Sequence, residues 1–125
     1  MRLPEYFPDY EIDCPCCGLQ SRTGSVHRLY RVRLAVGTVK VNSGRRCTRH
    51  NDEVGGVMAS SHLSGQAFDV HTPNAAYKYK LVEAAIASGF TRIIVHDTFV
   101  HMDDLSETFH LSIDYDRGQG KENRP

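Results

Sequence analysis

The spacing of apolar residues along the chain predicts three helices. From Thr23, a plausible N-cap, apolar side chains recur near helical spacing until Gly37, which predicts the first helix. A second helix is predicted to begin after Thr72, which can cap it. The next residue is a proline, which suits the first helical position, and the helix ends before Gly89. A third, shorter helix is predicted over residues 47–54, ahead of a Gly-Gly pair.

Three stretches have the pattern of short β-strands. Residues 38–42 alternate between polar and apolar side chains, whereas Arg92–Val95 and Phe99–Asp103 are apolar runs joined by a tight turn at 96–98. Residues 6–18 are predicted to form a loop, since two prolines interrupt any regular pattern there. Helices and strands are interspersed without a regular βαβ order, so we predict an α+β fold with a small, mainly antiparallel sheet flanked by helices.

Length and charge limit the number of domains and the kinds of partner. A chain of 125 residues with 40% hydrophobic content fits one domain with a single core. We place this domain at residues 1–117 and expect a polar, disordered tail at 118–125. Fifteen Lys and Arg residues balance fifteen Asp and Glu residues, so no net charge would attract nucleic acid or anionic lipid. We therefore expect a monomer with neither nucleic acid nor membrane as partner.

The N-terminal residues do not have the apolar stretch of a secretory signal peptide. No run in the sequence approaches the roughly 20 apolar residues that a membrane helix needs. We therefore expect synthesis in the cytoplasm without a signal peptide.

Histidines and one aspartate stand at positions that can hold a metal. His62 and Asp69 are separated by a loop that enters a strand, on which Ala67 and Asp69 would point to the same side. His101 lies in an apolar strand, where an imidazole needs a partner. Two imidazoles and one carboxylate leave the fourth position of tetrahedral zinc open, as in catalytic sites. On spacing alone, the alternative is that His62 caps a turn, Asp69 ends a strand and His101 is a hydrogen-bonded core histidine.

Four sequence blocks resemble the zinc D-Ala-D-Ala carboxypeptidase family, which includes VanX-type and VanY-type enzymes and phage L-alanyl-D-glutamate endopeptidases. The blocks occur in the family's order at residues 43–51 (SGRRCTRHN), 54–56 (VGG), 61–69 (SHLSGQAFD) and 99–103 (FVHMD). The resemblance covers roughly residues 6–103 and implies the fold shared with the zinc domain of hedgehog signalling proteins.

The resemblance also implies an activity. It implies zinc-dependent hydrolysis of peptide bonds in the stem peptides of bacterial peptidoglycan, by a carboxypeptidase or an endopeptidase. Without a signal peptide, such an enzyme would reach the cell wall through phage or prophage lysis. The alternative is a catalytically inactive, zinc-bearing binding or virion-structural module of the same fold.

Individual roles follow from the matched positions. The resemblance implies that Zn²⁺ is held by His62, Asp69 and His101. It maps the family's substrate-binding arginine onto Arg46, whose guanidinium can clamp a carboxylate or polarise a carbonyl. Arg45 stands where the family normally has an aromatic residue, a difference that would alter the wall of the pocket.

The general base is the residue that the resemblance defines least. Related enzymes carry Glu, Asp or His two or three residues before the last ligand, where this chain has phenylalanine and threonine. The candidates are then His96 and Asp97 in the predicted turn, and we favour Asp97 because a carboxylate is the commoner base in the family. Asp103, two residues after His101 and on the same strand face, can orient the imidazole of that ligand; a carboxylate that faces solvent is equally compatible with the sequence.

The cysteines form a second group of interest. Cys14, Cys16 and Cys17 lie close together, and Cys47 follows the arginine of the family block. Such clustering suits a metal site or one local bridge better than a framework of several disulfides. A structural zinc site, a disulfide that ties the N-terminal loop to the Arg46 loop, and free thiols are all compatible with the sequence.

Overall fold

The fold is built on a five-stranded mixed sheet. The computed structural model describes residues 6–56 and 60–115. The strands in these ranges are β1 (Val41–Ser43), β2 (Ala67–His71), β3 (Arg92–Val95), β4 (Phe99–Asp103) and β5 (His110–Ile113). Their order is β1-β2-β4-β3-β5, and neighbours are antiparallel except for β3 and β5, which run parallel. The predicted α+β fold with a mainly antiparallel sheet is thereby confirmed.

Helices flank this sheet and carry part of the core. They are α1 (Asp9–Ile12), α2 (Thr23–Val36), α3 (Thr48–Glu53), α4 (Ala75–Ser88) and a short 3₁₀ helix (Ser61–Ser64). The two long helices pack against each other, and α4 also contacts β3 and β4. Within residues 6–56 and 60–115, none of the helices has the length and apolar character needed to span a membrane.

Side chains along the strands alternate between the core and the opposite face of the sheet. Side chains on one face of β2, β3 and β4 join the core cluster with residues of the two long helices, among them Phe68, Val70, Ile93, Val100, Met102, Leu29 and Leu81. The intervening residues of β2 and β4 point to the opposite face. Asp69 and His101 are direct cross-strand partners there, so the register of β2 with β4 fixes their proximity.

The main differences from the sequence predictions lie at element ends. Asn74, and not Thr72, caps α4, because its side chain accepts a hydrogen bond from the Tyr77 N–H at 2.8 Å. The backbone N–H of Thr72 instead donates to the carbonyl of Thr98, which ties that residue to the turn before β4. Thr23 is the first residue of α2 and not its cap.

Three elements were not predicted, among them the 3₁₀ helix Ser61–Ser64, and one predicted strand is shifted. Residues 9–12 form a single helical turn inside the predicted loop, and the first strand spans 41–43 where 38–42 was expected. Strand β5 was missed although its four residues alternate between polar and apolar side chains; all four are exposed. The predicted tail at 118–125 and the domain boundary before it lie outside the described residues.

Candidate metal centre

Three potential metal ligands converge on the face of the sheet opposite the core. They are His62 on the 3₁₀ helix, Asp69 on β2 and His101 on β4, and one ligand atom from each lies within 4.8 Å of the others. All three side chains are 0% exposed. The structure therefore brings together the three residues that the sequence predicts as zinc ligands.

The seven-residue separation of His62 and Asp69 has a local structural cause. Ser60 caps the 3₁₀ helix, and its hydroxyl oxygen accepts a hydrogen bond from the backbone N–H of His62 at 3.2 Å. Gly65 ends it at a φ of 77°, a left-handed conformation that favours glycine. The chain then enters β2 at Ala67. One helical turn and one glycine reversal thus bring His62 back over the strand that carries Asp69.

In one pair within the cluster, an imidazole and a carboxylate face each other without a direct hydrogen bond. His62 Nε2 lies 3.3 Å from Asp69 Oδ2. Neither atom has a hydrogen-bond partner among the residues that the structure describes, although both are buried. Unpaired buried polar atoms are rare and destabilising in folded proteins. Imidazole nitrogen and carboxylate oxygen are both established zinc donors, so the residues present fit this metal.

Electrostatics set the protonation of each potential ligand separately. Burial would lower the pKa of His101, but the Asp103 and Asp69 carboxylates raise it, so a metal bound there displaces a proton. Burial would raise the pKa of the Asp69 carboxyl, but the His62 and His101 imidazoles hold it well below its usual range. Burial lowers the pKa of His62, against the opposing effect of the Asp69 charge. A charged carboxylate therefore faces a neutral imidazole, and these are the forms in which aspartate and histidine bind metals.

A second set of contacts fixes which ring nitrogen of each histidine is available. His62 Nδ1 lies 2.7 Å from the carbonyl of Gly44, and His101 Nε2 lies 2.7 Å from Asp103 Oδ2. With Nδ1 donating, His62 Nε2 points at Asp69 Oδ2 with a lone pair available, and His101 Nδ1 lies 2.9 Å from Asp69 Oδ1, so it faces the same carboxylate. Arg92 Nε donates to Asp103 Oδ2 at 2.8 Å and so holds the orienting carboxylate in turn.

Removing the charge that orients His101 should weaken metal binding. We expect Asp103→Asn to lower zinc affinity by about 10- to 100-fold, because the amide holds the Nε2–H tautomer less strongly than a carboxylate does. Competition with a chromophoric chelator measures this affinity. The neighbouring Asp104→Asn is a matched control, since Asp104 accepts from Ser25 and Gln66 instead. Equal affinities for the two variants would contradict the orienting role.

Arg46 lies against the cluster but is almost fully enclosed. Its side chain donates to Ser43 Oγ at 3.1 Å and to Asn51 Oδ1 at 3.0 Å, and Nη2 lies 3.9 Å from Asp69 Oδ2. The residue is 1% exposed. Arg45 points elsewhere and donates to the carbonyl of Gln20 at 3.0 Å. Of the two arginines, only Arg46 is next to the metal ligands.

His96 and Asp97 occupy the turn between β3 and β4, in contrasting surroundings. His96 is 5% exposed and stacks on Phe99, with ring centroids 4.1 Å apart. Phe99 and His101 lie on the same face of β4, so His96 is on the metal-ligand side of the sheet. Burial lowers the pKa of His96 below its ordinary value, and the Asp69 charge offsets only part of this effect. The side chain of Asp97 is exposed, and its carbonyl accepts from Lys78 Nζ at 2.7 Å.

One nitrogen of His96 remains available for chemistry. Its Nδ1 lies 3.2 Å from the carbonyl of Asp114. Its Nε2 is buried and has no hydrogen-bond partner within residues 6–56 and 60–115. A neutral imidazole that donates through Nδ1 keeps a lone pair on Nε2 and can accept a proton there.

The sequence matches the model of one known protein family. Residues 16–103 match the sequence model described as Peptidase M15, which is well over half of the chain. The chain belongs to the Peptidase M15 family. A comparison with curated proteins finds no match. Members of the Peptidase M15 family are zinc-dependent peptidases, so family membership makes this chain a metallopeptidase that acts on a peptide substrate.

The matched part of this Peptidase M15 chain contains the whole cluster. The three potential zinc ligands, Arg46 and both candidate bases fall inside residues 16–103. Sequence reasoning missed Arg92, which supports Asp103, and the Gly44 carbonyl, which orients His62. Arg92 is a charged residue at the start of a strand, and only the pairing of Arg92 with Asp103 across β3 and β4 reveals its role.

Proposed function

We propose that this peptidase hydrolyses peptide bonds in the stem peptides of bacterial peptidoglycan. The observation that carries the proposal is the convergence of two histidines and one aspartate on one side of the sheet, the side on which the buried imidazole of His96 stacks on Phe99. Peptidoglycan is proposed as the substrate because the sequence blocks resemble those of D-Ala-D-Ala carboxypeptidases and L-alanyl-D-glutamate endopeptidases.

His62, Asp69 and His101 would hold the metal in this mechanism. When bound, zinc supplies a Lewis acid for the scissile carbonyl and for water. The Gly44 carbonyl and the Asp103 carboxylate keep the two ligand imidazoles in one tautomer and one orientation. Such orienting contacts keep a metal site ordered before the substrate arrives.

His96 is the general base in this proposal. Its Nε2 accepts a proton from the attacking water and delivers that proton to the nitrogen of the leaving amine, as general acid–base catalysis requires. Two observations favour His96 over Asp97, which the sequence had favoured. The imidazole is buried on the ligand side of the sheet, whereas the Asp97 side chain is exposed.

Arg46 is proposed to bind the substrate at the edge of the cluster. Its Nη2 is 3.9 Å from Asp69 Oδ2, so a carboxylate or carbonyl bound next to the metal ligands would be within reach of the guanidinium. We further propose that the protein acts as a monomer and reaches the wall through phage or prophage lysis.

The arginine role predicts a difference between two neighbouring variants. Arg46→Lys keeps the charge and loses the planar fork, so we expect KM for a wall peptide to rise about tenfold or more with zinc content unchanged. Arg45→Lys is the matched control and should change KM little, because Arg45 bonds to Gln20 away from the cluster. Steady-state kinetics decide the matter, and the reverse ranking would assign the substrate role to Arg45.

Digestion of purified muropeptides tests the proposed function. Mass spectrometry of the products should show a cut stem peptide with wild-type protein, and neither a chelator-treated sample nor His62→Ala should produce it. Release of free D-alanine would identify a carboxypeptidase, and a cut within the stem an endopeptidase. Zinc-loaded wild-type protein that cuts no muropeptide would instead support an inactive binding or virion-structural module.

A further inference from the structure

All four cysteines of the chain meet at one point, away from the histidine cluster. They are Cys14, Cys16, Cys17 and Cys47, and their Sγ atoms all lie within 4.8 Å of one another. Cys16 Sγ is 3.5 Å from Cys14 Sγ and 3.3 Å from Cys47 Sγ. Three of these thiols come from the N-terminal segment, and the fourth comes from the residue directly before α3.

The arrangement of the four sulfurs suits a tetrahedral metal. Zinc–sulfur bonds of about 2.3 Å place the sulfurs of a tetrahedron about 3.8 Å apart, close to the separations seen here. A disulfide would join only two of the four sulfurs, at about 2.05 Å, and would not explain why the other two are gathered beside it. Four thiolates around one centre are a donor set for zinc or iron and are typical of closed, structural zinc sites.

Backbone contacts around the cysteines also match a thiolate site. The N–H of Cys47 donates to Cys14 Sγ at 3.4 Å, and the N–H of His50 donates to Cys47 Sγ at 3.4 Å. Gly18, at a φ of 77°, closes the turn that holds the first three cysteines by donating its N–H to the carbonyl of Cys14 at 2.8 Å. Hydrogen bonds of this kind orient ligands and stabilise their charge.

We propose that Cys14, Cys16, Cys17 and Cys47 bind a second zinc ion, which has a structural role. All four positions of a tetrahedral ion are taken by sulfur, so no position is open for substrate or water, in contrast to the His–Asp–His cluster. This proposal does not depend on the substrate or activity proposed above.

The position of this site indicates what the metal stabilises. Cys47 directly follows Arg46, and the backbone N–H of Arg46 donates to the carbonyl of His62 at 3.0 Å. The same loop carries the Gly44 carbonyl that orients the His62 ring. A metal bound by the cysteines therefore ties the N-terminal segment to the loop that positions Arg46 and His62.

Metal content and thiol content of the full chain test the proposal directly. We expect about two zinc ions per wild-type chain by elemental analysis. His62→Ala and Cys47→Ser should each keep about one, and they form a matched pair because each removes a ligand from a different site. All four cysteines should react with a thiol reagent after denaturation with chelator and without reductant.

Cobalt substitution identifies the ligands of each ion. Cobalt-loaded wild type and His62→Ala should both show sulfur-to-cobalt charge-transfer absorption, and Cys47→Ser should lose most of it. Loss of all zinc in His62→Ala, two unreactive thiols, or cobalt spectra without thiolate absorption would each overturn the proposal. If Cys47→Ser does not fold, the wild-type and His62→Ala measurements decide alone. Loss of hydrolysis with both zinc ions retained would overturn the proposed function and leave this site standing.

Discussion

Replacing His62 or His101 by alanine should remove the zinc held by the His–Asp–His cluster, together with all measurable peptide hydrolysis. A site with three protein ligands rarely tolerates the loss of one. The loss should be severe here because the buried Asp69 carboxylate would then keep only one imidazole partner. Elemental analysis and hydrolysis of a wall peptide, made on the same preparation, measure both effects.

The control for these variants is His110→Ala. His110 is exposed on β5 and is not part of either group of potential metal ligands among the described residues. This variant should keep wild-type zinc and activity. Zinc bound by the cysteines has to be subtracted before the comparison. Full retention of the remaining zinc in both His62→Ala and His101→Ala would show that the ligand assignment is wrong.

The potential ligands were predicted from the family resemblance, and part of their placement in the fold is local. One helical turn and Gly65 place His62 over the strand of Asp69. The strand of His101 was recognised from its apolar pattern, and β4 has the predicted bounds. What the sequence could not supply was the register that pairs Asp69 with His101, because strand pairing depends on the whole sheet.

Elements at the edges of the fold were harder to predict. Strand β5 is only four residues long and has no buried residue, and its parallel pairing with β3 is a tertiary feature. The cap of α4 was assigned to Thr72 because Thr-Pro is a strong start signal. The backbone of Thr72 is already bonded to Thr98, which moves the start of the helix to the next available cap at Asn74.

Sequence reasoning alone could not separate the surroundings of His96 from those of Asp97. The two residues are adjacent in one turn, and both residue types can accept a proton. Their difference arises from packing, since His96 stacks on Phe99 while the Asp97 side chain stays exposed. No local pattern encodes which residue of a turn folds back over a sheet.

Replacing His96 by glutamine should lower turnover by about a hundredfold or more, the usual scale for loss of a general acid–base group. Glutamine keeps a polar side chain of similar length but cannot take up a proton at neutral pH. His96 is not among the residues that form the metal cluster, so zinc content should stay at the wild-type value. Single-turnover rates on a defined stem peptide, together with elemental analysis, separate catalysis from metal loss.

The pH dependence distinguishes a proton acceptor from a merely structural histidine. The base must be neutral, so wild-type kcat/KM should fall as the pH drops through the pKa of His96. Burial lowers that pKa, so the fall should begin below the ordinary histidine value of about 6.5. His96→Gln should lose this acidic limb, whereas Asp97→Asn, the matched control in the same turn, should keep both the rate and the limb.

A hundredfold loss in Asp97→Asn with an active His96→Gln would make Asp97 the base. If neither variant changes the rate, the proton acceptor is neither residue, because removal of a group that accepts the proton in the transition state must slow the step that needs it.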